Sequence, residues 1–245
     1  MSTEYSLTLL HLYPWELRTS ADVGNLMVMK QRMARRSIEL QVVEYHPGDP
    51  FPQDVDIIYG GGAQDSGQFV IEADLQRSAE PIRNLIETGV PALLVHASYQ
   101  LFGTTFITED EREVAGFGVF DAQTIFGGDR IVGNVVIETE GLGTVLGYEN
   151  HAAKTILGPT AVPLGQVIKG IGNNDTGKTE GVRYKNAIGT YLYGPLLAMN
   201  PKSADRLIKK ALEKKYQESV KLDPILEFDG ELLEQLRTRA LDRPR

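Results

Sequence analysis

The chain has 245 residues, 42% of them hydrophobic and 24% charged, which fits one globular domain or a domain with an extension. Its formal net charge of −8 disfavours a nucleic-acid partner, because neutralising phosphates requires a basic surface. It contains no cysteine, which excludes disulfides, thiolate metal sites and cysteine nucleophiles.

The composition also disfavours metal binding and membrane insertion. The four histidines, His11, His46, His96 and His151, lack the spacing of a zinc site, so we expect no metal. No apolar run reaches the roughly 18 residues of a transmembrane helix, and the first residues lack the basic start of a signal peptide. These features predict a cytoplasmic protein without membrane insertion.

In the first half of the chain, segments typical of strands alternate with segments typical of helices. We predict strands at 5–12, 40–45, 56–59 and 90–95, and helices at about 22–36 and 67–88. Pro81 would break or kink the second helix, and the first would bury an apolar face made of Val23, Leu26, Met27, Met33 and Ala34. The alternation predicts an α/β fold with a central, mostly parallel sheet flanked by helices.

The second half predicts a different organisation. From Phe117 to about Gly172, glycines and β-formers indicate a more antiparallel, loop-rich part of the same domain, and 189–197 indicates a strand entering a turn. Asn200 and Pro201 fit the start of a helix to about Tyr216, with a buried stripe of Ala204, Leu207, Ile208, Ala211 and Leu212. Residues 231–241 predict an amphipathic helix with Leu232, Leu233, Leu236 and Leu241 on one side. We therefore predict one domain at 1–217 and a charged helical extension at 218–245, which packs on the domain or docks a partner.

Two turns after predicted strands could carry chemistry. Gly60, Gly61 and Gly62 could hold an anion through backbone N–H groups, or could serve only as a tight turn. They match neither the GxGxxG spacing nor a Walker loop, so we expect no cofactor. His96 lies where a strand–nucleophile–helix elbow is expected. It is either a site residue or a histidine hydrogen-bonded at the end of a strand.

A series of motifs over about residues 5 to 216 resembles one family. These are ADVGN (21–25), YGGG (59–62), LLVHASYQLFG (93–103), GDRIVGNVVIE (128–138), GYENH (147–151), GNNDTGKTEG (172–181) and GTYLYGPLL (189–197). The chain is identified as a member of the GatD glutaminase subunits of lipid II isoglutaminyl synthase, which are cobyric-acid-synthase-like class I glutamine amidotransferases. The resemblance implies a flavodoxin-like fold and a MurT-like partner, a Mur-ligase-type synthetase that amidates a cell-wall precursor with ammonia released from glutamine.

The same resemblance places the two catalytic positions of the family on residues of different chemistry. The cysteine of the family pattern C-G-G-Y-Q falls on His96, and the histidine of T-Y-L-H-G-P falls on Tyr193. Hydrolysis through a thioester requires a sulfur nucleophile and a base, and phenols, with ordinary pKa values of about 10, are poor bases at neutral pH. Losing one member of such a unit commonly costs about 10⁴-fold in rate. The resemblance therefore implies a degenerate site with no intact catalytic residue.

Other positions of the family site are kept or slightly changed. Arg130 matches an arginine that resembles the glutamine-binding residue of the family, and Ala97 and Ser98 replace glycines. Ser98 has no accompanying base and is not expected to replace the nucleophile. We predict five substrate-binding positions, namely Arg130, Gly61, Gly62, Ala97 and Gln100.

Three functions are compatible with this sequence. The first is a degenerate amidotransferase-like subunit that pairs with a MurT-like synthetase. The second is a sensor or carrier that binds glutamine or a related amino acid without hydrolysing it. The third is an enzyme of changed chemistry that uses His96 as an acid–base group.

Overall fold

The computed structural model describes residues 5–17, 22–62, 71–175, 178–194, 196–225 and 230–242. Its strands are β1 (Tyr5–Leu12), β2 (Ile38–Tyr45), β3 (Ile57–Gly60), β4 (Ala92–Val95), β5 (Thr105–Ile107), β6 (Glu113–Ala115), β7 (Ala122–Ile125), β8 (Ile131–Thr139), β9 (Gly143–His151), β10 (Lys154–Leu157), β11 (Gly165–Lys169), β12 (Thr179–Glu180), β13 (Val182–Tyr184) and β14 (Ala187–Thr190). Its helices are α1 (Asp22–Ala34), α2 (Glu72–Glu87), α3 (Ala97–Leu101), α4 (Leu196–Met199), α5 (Pro201–Tyr216) and α6 (Glu231–Asp242).

A mostly parallel sheet lies at the centre of the protein, with its strands in the order β13-β14-β4-β3-β1-β2. Neighbouring strands are parallel except in the edge hairpin of β13 and β14. Because parallel strands end at the same edge, the segments after β1, β3, β4 and β14 meet at the carboxyl edge. The predicted α/β fold with a mostly parallel sheet is confirmed.

Alternating side chains of the central strands fill one apolar core on each face of the sheet. Ile58 and Leu94 belong to the core that contains α2, whereas Ile57 and Leu93 belong to the core that contains α1 and α5. The stripe predicted for α5 is buried at every position. The helices therefore flank the sheet on both faces, and the strand ends at the carboxyl edge rest on a packed layer.

The apolar face predicted for α1 is partly wrong. Leu26 and Met33 are buried, but Val23, Met27 and Ala34 are exposed. The buried face is rotated because a polar side chain, Asn25, also points inward. Its Oδ1 accepts a hydrogen bond at 2.9 Å from a backbone N–H of α4. Hydrophobic spacing alone does not reveal such a contact between distant segments.

Of the break or kink predicted at Pro81, the break is wrong, because α2 runs without interruption from Glu72 to Glu87, and the kink stays a prediction. Proline removes one helical hydrogen bond at this point. Burial of Leu75, Ile82 and Ile86 against the sheet compensates for that loss. Residues 67–70, where this helix was predicted to begin, lie outside the described residues.

The antiparallel part of the chain forms two further sheets, β10-β7-β5-β6 and β12-β11-β8-β9. This organisation confirms the prediction for the middle of the chain, although it begins earlier, at Thr105, and the pair β5 and β7 is parallel. Strand β9 reaches the carboxyl edge of the central sheet, where Tyr148 pairs with Tyr193. It thereby joins the antiparallel part to the segment that follows β14.

Helix α5 begins at Pro201 after the N-cap residue Asn200, as predicted. The Asn200 side chain makes no capping hydrogen bond. Its amide instead accepts a hydrogen bond from Leu146 N at 2.9 Å and donates one to Leu146 O at 2.7 Å. The side-chain amide thus makes the same pair of hydrogen bonds with Leu146 that a neighbouring strand would make. These bonds hold the start of α5 against β9.

One arginine attaches helix α6 to the domain at the same place. Arg237 donates to Asn200 Oδ1 at 2.9 Å and to Thr144 O at 2.7 Å, and it also bonds the carbonyl of Met199. Its guanidinium thereby links β9, the end of α4 and the start of α5. Charge-assisted hydrogen bonds of this kind are stronger than those between neutral groups.

The leucines of α6 do not form the packing side that their spacing predicts. Leu232, Leu236 and Leu241 are 70%, 44% and 40% exposed, whereas Leu233 is half-buried. The side that faces the domain carries Arg237 instead.

The division of the chain into a domain at 1–217 and an extension at 218–245 stays a prediction. No helix in the described ranges is both long and apolar enough to span a membrane.

We expect Arg237→Ala to loosen α6 while the rest of the domain stays folded. The replacement removes the donors to three acceptors, each worth about 1.5–3 kcal/mol when a charged group is involved. Amide hydrogen exchange over Glu231–Asp242 should accelerate by at least tenfold. Arg239→Ala, an exposed arginine on the same helix, is the matched control and should leave exchange unchanged. Equal exchange in both variants would contradict this role of Arg237.

Candidate functional site

A sharp turn follows strand β4 at the carboxyl edge of the central sheet. Val95 ends the buried strand, His96 has φ 53° and ψ −110°, and α3 begins at Ala97. A positive φ is strained for a non-glycine residue, by roughly 1–3 kcal/mol. The His96 N–H donates to Thr190 O at 2.9 Å, which ties the turn to the end of β14. Position 96 thus occupies the apex of the elbow predicted from the sequence.

The imidazole of His96 is bonded to strand β9. Its Nε2 lies 3.0 Å from Asn150 O. Because a carbonyl can only accept, Nε2 carries the proton, and the lone pair of the neutral ring lies on Nδ1. The ring also meets Tyr191 edge-on, with 6.0 Å between ring centroids. The interpretation of His96 as a histidine hydrogen-bonded at a strand end and its interpretation as a site residue are therefore both compatible with its position.

Asn150 connects this histidine with the predicted glutamine-binding arginine. Its main-chain carbonyl accepts from His96, and its side-chain Oδ1 accepts from Arg130 Nε at 2.7 Å. Arg130 is exposed and directly precedes β8, which pairs with β9. A guanidinium held through Nε presents its two other nitrogens in a plane, which suits a carboxylate. The structure thus brings His96, Asn150 and Arg130 together.

The backbone of Tyr193 contacts the same strand, β9, two residues before Asn150. Its N–H donates to Tyr148 O at 2.8 Å. Since Tyr148 and Asn150 are two residues apart on β9, the attachment points of Tyr193 and His96 lie about 7 Å apart. The Tyr193 side chain is half-buried. The two positions that carry the catalytic pair in the family pattern therefore meet β9 side by side.

The glycine loop after β3 packs directly on the first turn of α3. Ser98 Oγ donates to Gly61 O at 2.6 Å, and Ser98 N donates to the same carbonyl at 3.2 Å. Gly60 does not have a positive φ; a Cβ there would lie 2.5 Å from Ser98 Oγ. Glycine is therefore required at position 60 for close approach. The Ser98 proton is engaged by a carbonyl, which fits the prediction that Ser98 does not replace the nucleophile.

The remaining predicted binding positions lie on either side of the elbow. Gly61 and Gly62 are buried at the end of β3, and Ala97 is buried at the start of α3. Because C=O and N–H point in opposite directions in a trans peptide, the Gly62 N–H points away from Ser98. Gln100 lies deeper, where its Nε2 donates to Tyr191 Oη at 3.3 Å. That Arg130, Gly61, Gly62, Ala97 and Gln100 bind substrate stays a prediction.

A buried polar layer below the elbow was not predicted. Tyr191 is its centre: its ring stacks on His151, with centroids 3.8 Å apart and planes 7° from parallel, and its hydroxyl lies 2.7 Å from Thr155 Oγ1. His151 Nδ1 donates to Ala153 O at 2.7 Å, and burial lowers the pKa of His151 to about 4. His151 is therefore neutral at physiological pH, and it supports Tyr191 from below. His151 lies in the motif GYENH and Tyr191 in the motif GTYLYGPLL, but nothing in either motif indicated that the two side chains stack.

Glu180 holds the backbone that leads to Tyr193. Its two carboxylate oxygens accept hydrogen bonds from Tyr191 N at 2.6 Å and Thr190 Oγ1 at 2.9 Å. The side chain is fully buried, and burial raises the pKa of Glu180 to about 7. A carboxylate thus fixes the segment between the end of β14 and position 193. Within the described ranges, no group of three or more metal-ligating side chains could hold a metal ion.

The raised pKa of the buried Glu180 predicts that the protein is more stable at mildly acidic than at mildly alkaline pH. Between about pH 4.3, the ordinary pKa of glutamate, and about pH 7, only the folded state holds the Glu180 proton. The free energy of unfolding should therefore fall by about 3 kcal/mol as the pH rises through this window. Urea unfolding measured at several pH values should show this slope, and Glu180→Gln should remove it. The exposed Glu39→Gln is the control, and an unchanged slope in Glu180→Gln would contradict the assignment.

The sequence is similar to proteins of one family over most of its length. The CobB/CobQ-like glutamine amidotransferase domain matches residues 19–201. The chain is 36% identical over 240 residues to subunit GatD of the glutamine-hydrolysing lipid II isoglutaminyl synthase of Staphylococcus aureus (strain N315), covering 98% of this chain and 96% of that protein. It is 34% identical over 223 residues to the corresponding GatD subunit of Streptococcus pneumoniae (strain ATCC BAA-255 / R6), covering 89% of this chain and 85% of that protein.

The fold is also similar to that of a solved structure. The structure of PurLQS from Thermotoga maritima superposes with a TM-score of 0.57 at 12% identity, over 87% of this chain and 99% of that chain. At this identity the likeness concerns the fold alone. The predicted class I glutamine amidotransferase fold is confirmed.

Proposed function

Since the chain belongs to the CobB/CobQ-like glutamine amidotransferase family and is a homologue of GatD subunits, we propose that it is a non-hydrolytic subunit of an amidating synthetase. Its relatives are named as subunits of a glutamine-hydrolysing lipid II isoglutaminyl synthase. Under this proposal the chain keeps their fold and their association with a MurT-like, Mur-ligase-type partner. It does not release ammonia from glutamine.

The observation that carries the proposal is the identity of the side chains at positions 96 and 193. Position 96 is histidine and position 193 is tyrosine, and the chain contains no cysteine. A thioester route requires a sulfur atom that attacks the amide carbon, and a base that takes the thiol proton and then gives it to the departing ammonia. The sulfur atom is absent, and position 193 carries a phenol in place of the base.

The contacts of His96 argue against a substitute mechanism. An imidazole that attacked the amide would have to present an unprotonated nitrogen to the substrate carbon. In the neutral ring Nε2 carries a proton that is bonded to Asn150 O, so the unprotonated nitrogen is Nδ1, and this atom is buried. The burial of Nδ1 also argues against the hypothesis of a changed acid–base chemistry at His96.

The proposal is tested by comparing glutamine with ammonium as the nitrogen source that the complex can use. The chain is purified with a MurT-like synthetase, and amidation of the lipid-linked precursor is followed with glutamine or with ammonium as nitrogen donor. We expect a stable complex that is active with ammonium and inactive with glutamine. Amidation with glutamine at a comparable rate, or failure to form a complex, would refute it.

Arg130 favours a second function, the binding of glutamine or a related amino acid without turnover. Its exposed guanidinium is held in position by Asn150, as a carboxylate-binding group would be. Calorimetry should then show binding of glutamine or glutamate that Arg130→Ala weakens by at least tenfold, since a bidentate pair is lost. Arg35→Ala, on the distant helix turn after α1, is a control. No heat with either amino acid would exclude this function.

A further inference from the structure

A basic depression lies on the outer side of α5, away from the elbow. It has a volume of about 520 Å³ and is open to solvent. Its lining contains five cationic side chains, Lys202, Arg206, Lys209, Lys210 and Lys221. Leu142 and Leu222 complete its floor. We name this surface the α5 depression.

The positive charge of the α5 depression is largely uncompensated. Among the described residues of its lining, Asp205 is the single acidic one, and it is bound by Arg32 at 2.6 Å and by Arg36 at 3.0 Å. Glu213 is shared between Lys209 at 3.6 Å and Lys210 at 3.0 Å. The carboxylates near the depression are therefore already bound to cations, and several of its lysines remain in excess.

This local charge is opposite to that of the whole protein. The chain carries a net charge of −8, so its overall field repels polyanions. A cluster of five cations in such a chain favours a ligand that presents many negative charges at short range. The phosphate groups of an anionic surface have this property.

The residue types favour a bilayer over other polyanions. Four of the five cations are lysines, which act as flexible point charges rather than as planar forks for a defined phosphate. Among the residues that the structure describes, the lining contains no aromatic side chain on which a nucleic-acid base could stack. We propose that the α5 depression docks the protein on an anionic phospholipid surface.

The inference rests on the proposed function in one respect, since a subunit that serves a synthetase of a lipid-linked precursor has to work where that lipid lies. It also adds to that function, because it assigns the contact with the membrane to this chain rather than to the partner alone. Peripheral binding through lysines requires no inserted helix and is worth most at low ionic strength.

The test is flotation of the full chain with vesicles. Vesicles of phosphatidylcholine with about a third phosphatidylglycerol are compared with vesicles of phosphatidylcholine alone. We expect binding to the anionic vesicles only, weakened by salt. The double variant Lys202→Glu with Lys209→Glu should lower the partition coefficient by about tenfold or more, because each basic group near the surface contributes several-fold.

The matched control is Lys30→Glu with Lys178→Glu, two exposed lysines outside the depression. It has the same net charge as the first variant, so a general charge effect would weaken both equally. Circular dichroism and melting curves verify that both variants are folded. Equal losses in the two variants, no binding to anionic vesicles, or binding to an RNA oligonucleotide in place of vesicles would overturn the proposal. Glutamate release is not part of this readout, so a failure of the proposed function leaves the vesicle result interpretable.

Discussion

Introducing the two groups of the family pattern, His96→Cys together with Tyr193→His, is expected to create glutaminase activity, which we propose that the natural chain lacks. The strained elbow is already formed, its apex is tied to the end of β14 by the hydrogen bond from His96 N to Thr190 O, and position 193 follows three residues after Thr190. A thiolate at 96 and an imidazole at 193 would supply the nucleophile and the base that the thioester route needs. Because members of such a unit act together, the gain should be about 10³-fold or more over the natural chain.

The measurement is release of glutamate from glutamine by the chain in complex with its synthetase. His96→Cys alone and Tyr193→His alone are the controls, and each should stay close to the background. Covalent labelling of the new cysteine by a diazoketone analogue of glutamine, followed by mass spectrometry, reports the nucleophile separately. Activity of the natural chain that is lost in His96→Ala would contradict the central proposal. A labelled cysteine without turnover would instead indicate that Ala97 and Ser98 narrow the pocket.

The second large effect is expected at Gly60. A Cβ added there would lie 2.5 Å from Ser98 Oγ and 2.7 Å from Ser98 Cβ, distances that folded proteins do not tolerate. Ser98 is buried and cannot turn away without giving up its hydrogen bond to Gly61 O. Gly60→Ala should therefore reduce the free energy of unfolding by about 2–3 kcal/mol, as overpacking of a core does.

The matching double variant tests the cause of this loss. Ser98→Gly removes the obstructing side chain, so Gly60→Ala should cost much less in its presence. Chemical denaturation of the natural chain, the two single variants and the double variant forms a double-mutant cycle. A coupling of at least about 1 kcal/mol is expected for residues in direct contact. Additive effects would show that Ser98 is not the group that requires glycine at position 60.

The elements of the fold follow from local patterns in the sequence. Strands β1 to β4 of the central sheet are short runs rich in apolar residues, and the stripe of α5 repeats at helical spacing, so these are predicted correctly. The strand predicted in the run 189–197 is largely wrong, because β14 ends at Thr190 and α4 begins at Leu196. The face of α1 is not, because Asn25 turns inward to bond α4, which follows about 170 residues later in the chain. The course of α2 through Pro81 likewise depends on burial against a sheet rather than on local propensity.

The site is predictable in its positions but not in its connections. The motifs indicated His96 at an elbow and Tyr193 in the run 189–197, because each belongs to a recognisable run of residues, and the catalytic role of these positions in the family stays what the resemblance implies. Nothing in those runs shows that Asn150 joins His96 to Arg130, or that Glu180 holds the backbone before Tyr193. Such hydrogen bonds depend on how separate strands are placed, and a single sequence does not report that placement.

Strand β9 is bonded near one end to the elbow, through Asn150, and near the other to helix α6, through Thr144. Six residues of extended chain separate these points, a span of about 20 Å along one strand. The strand is paired with β8 over its whole length, so its residues are held in register between the two points. The attachment site of α6 and the contact of His96 are therefore the two ends of one continuous, hydrogen-bonded strand.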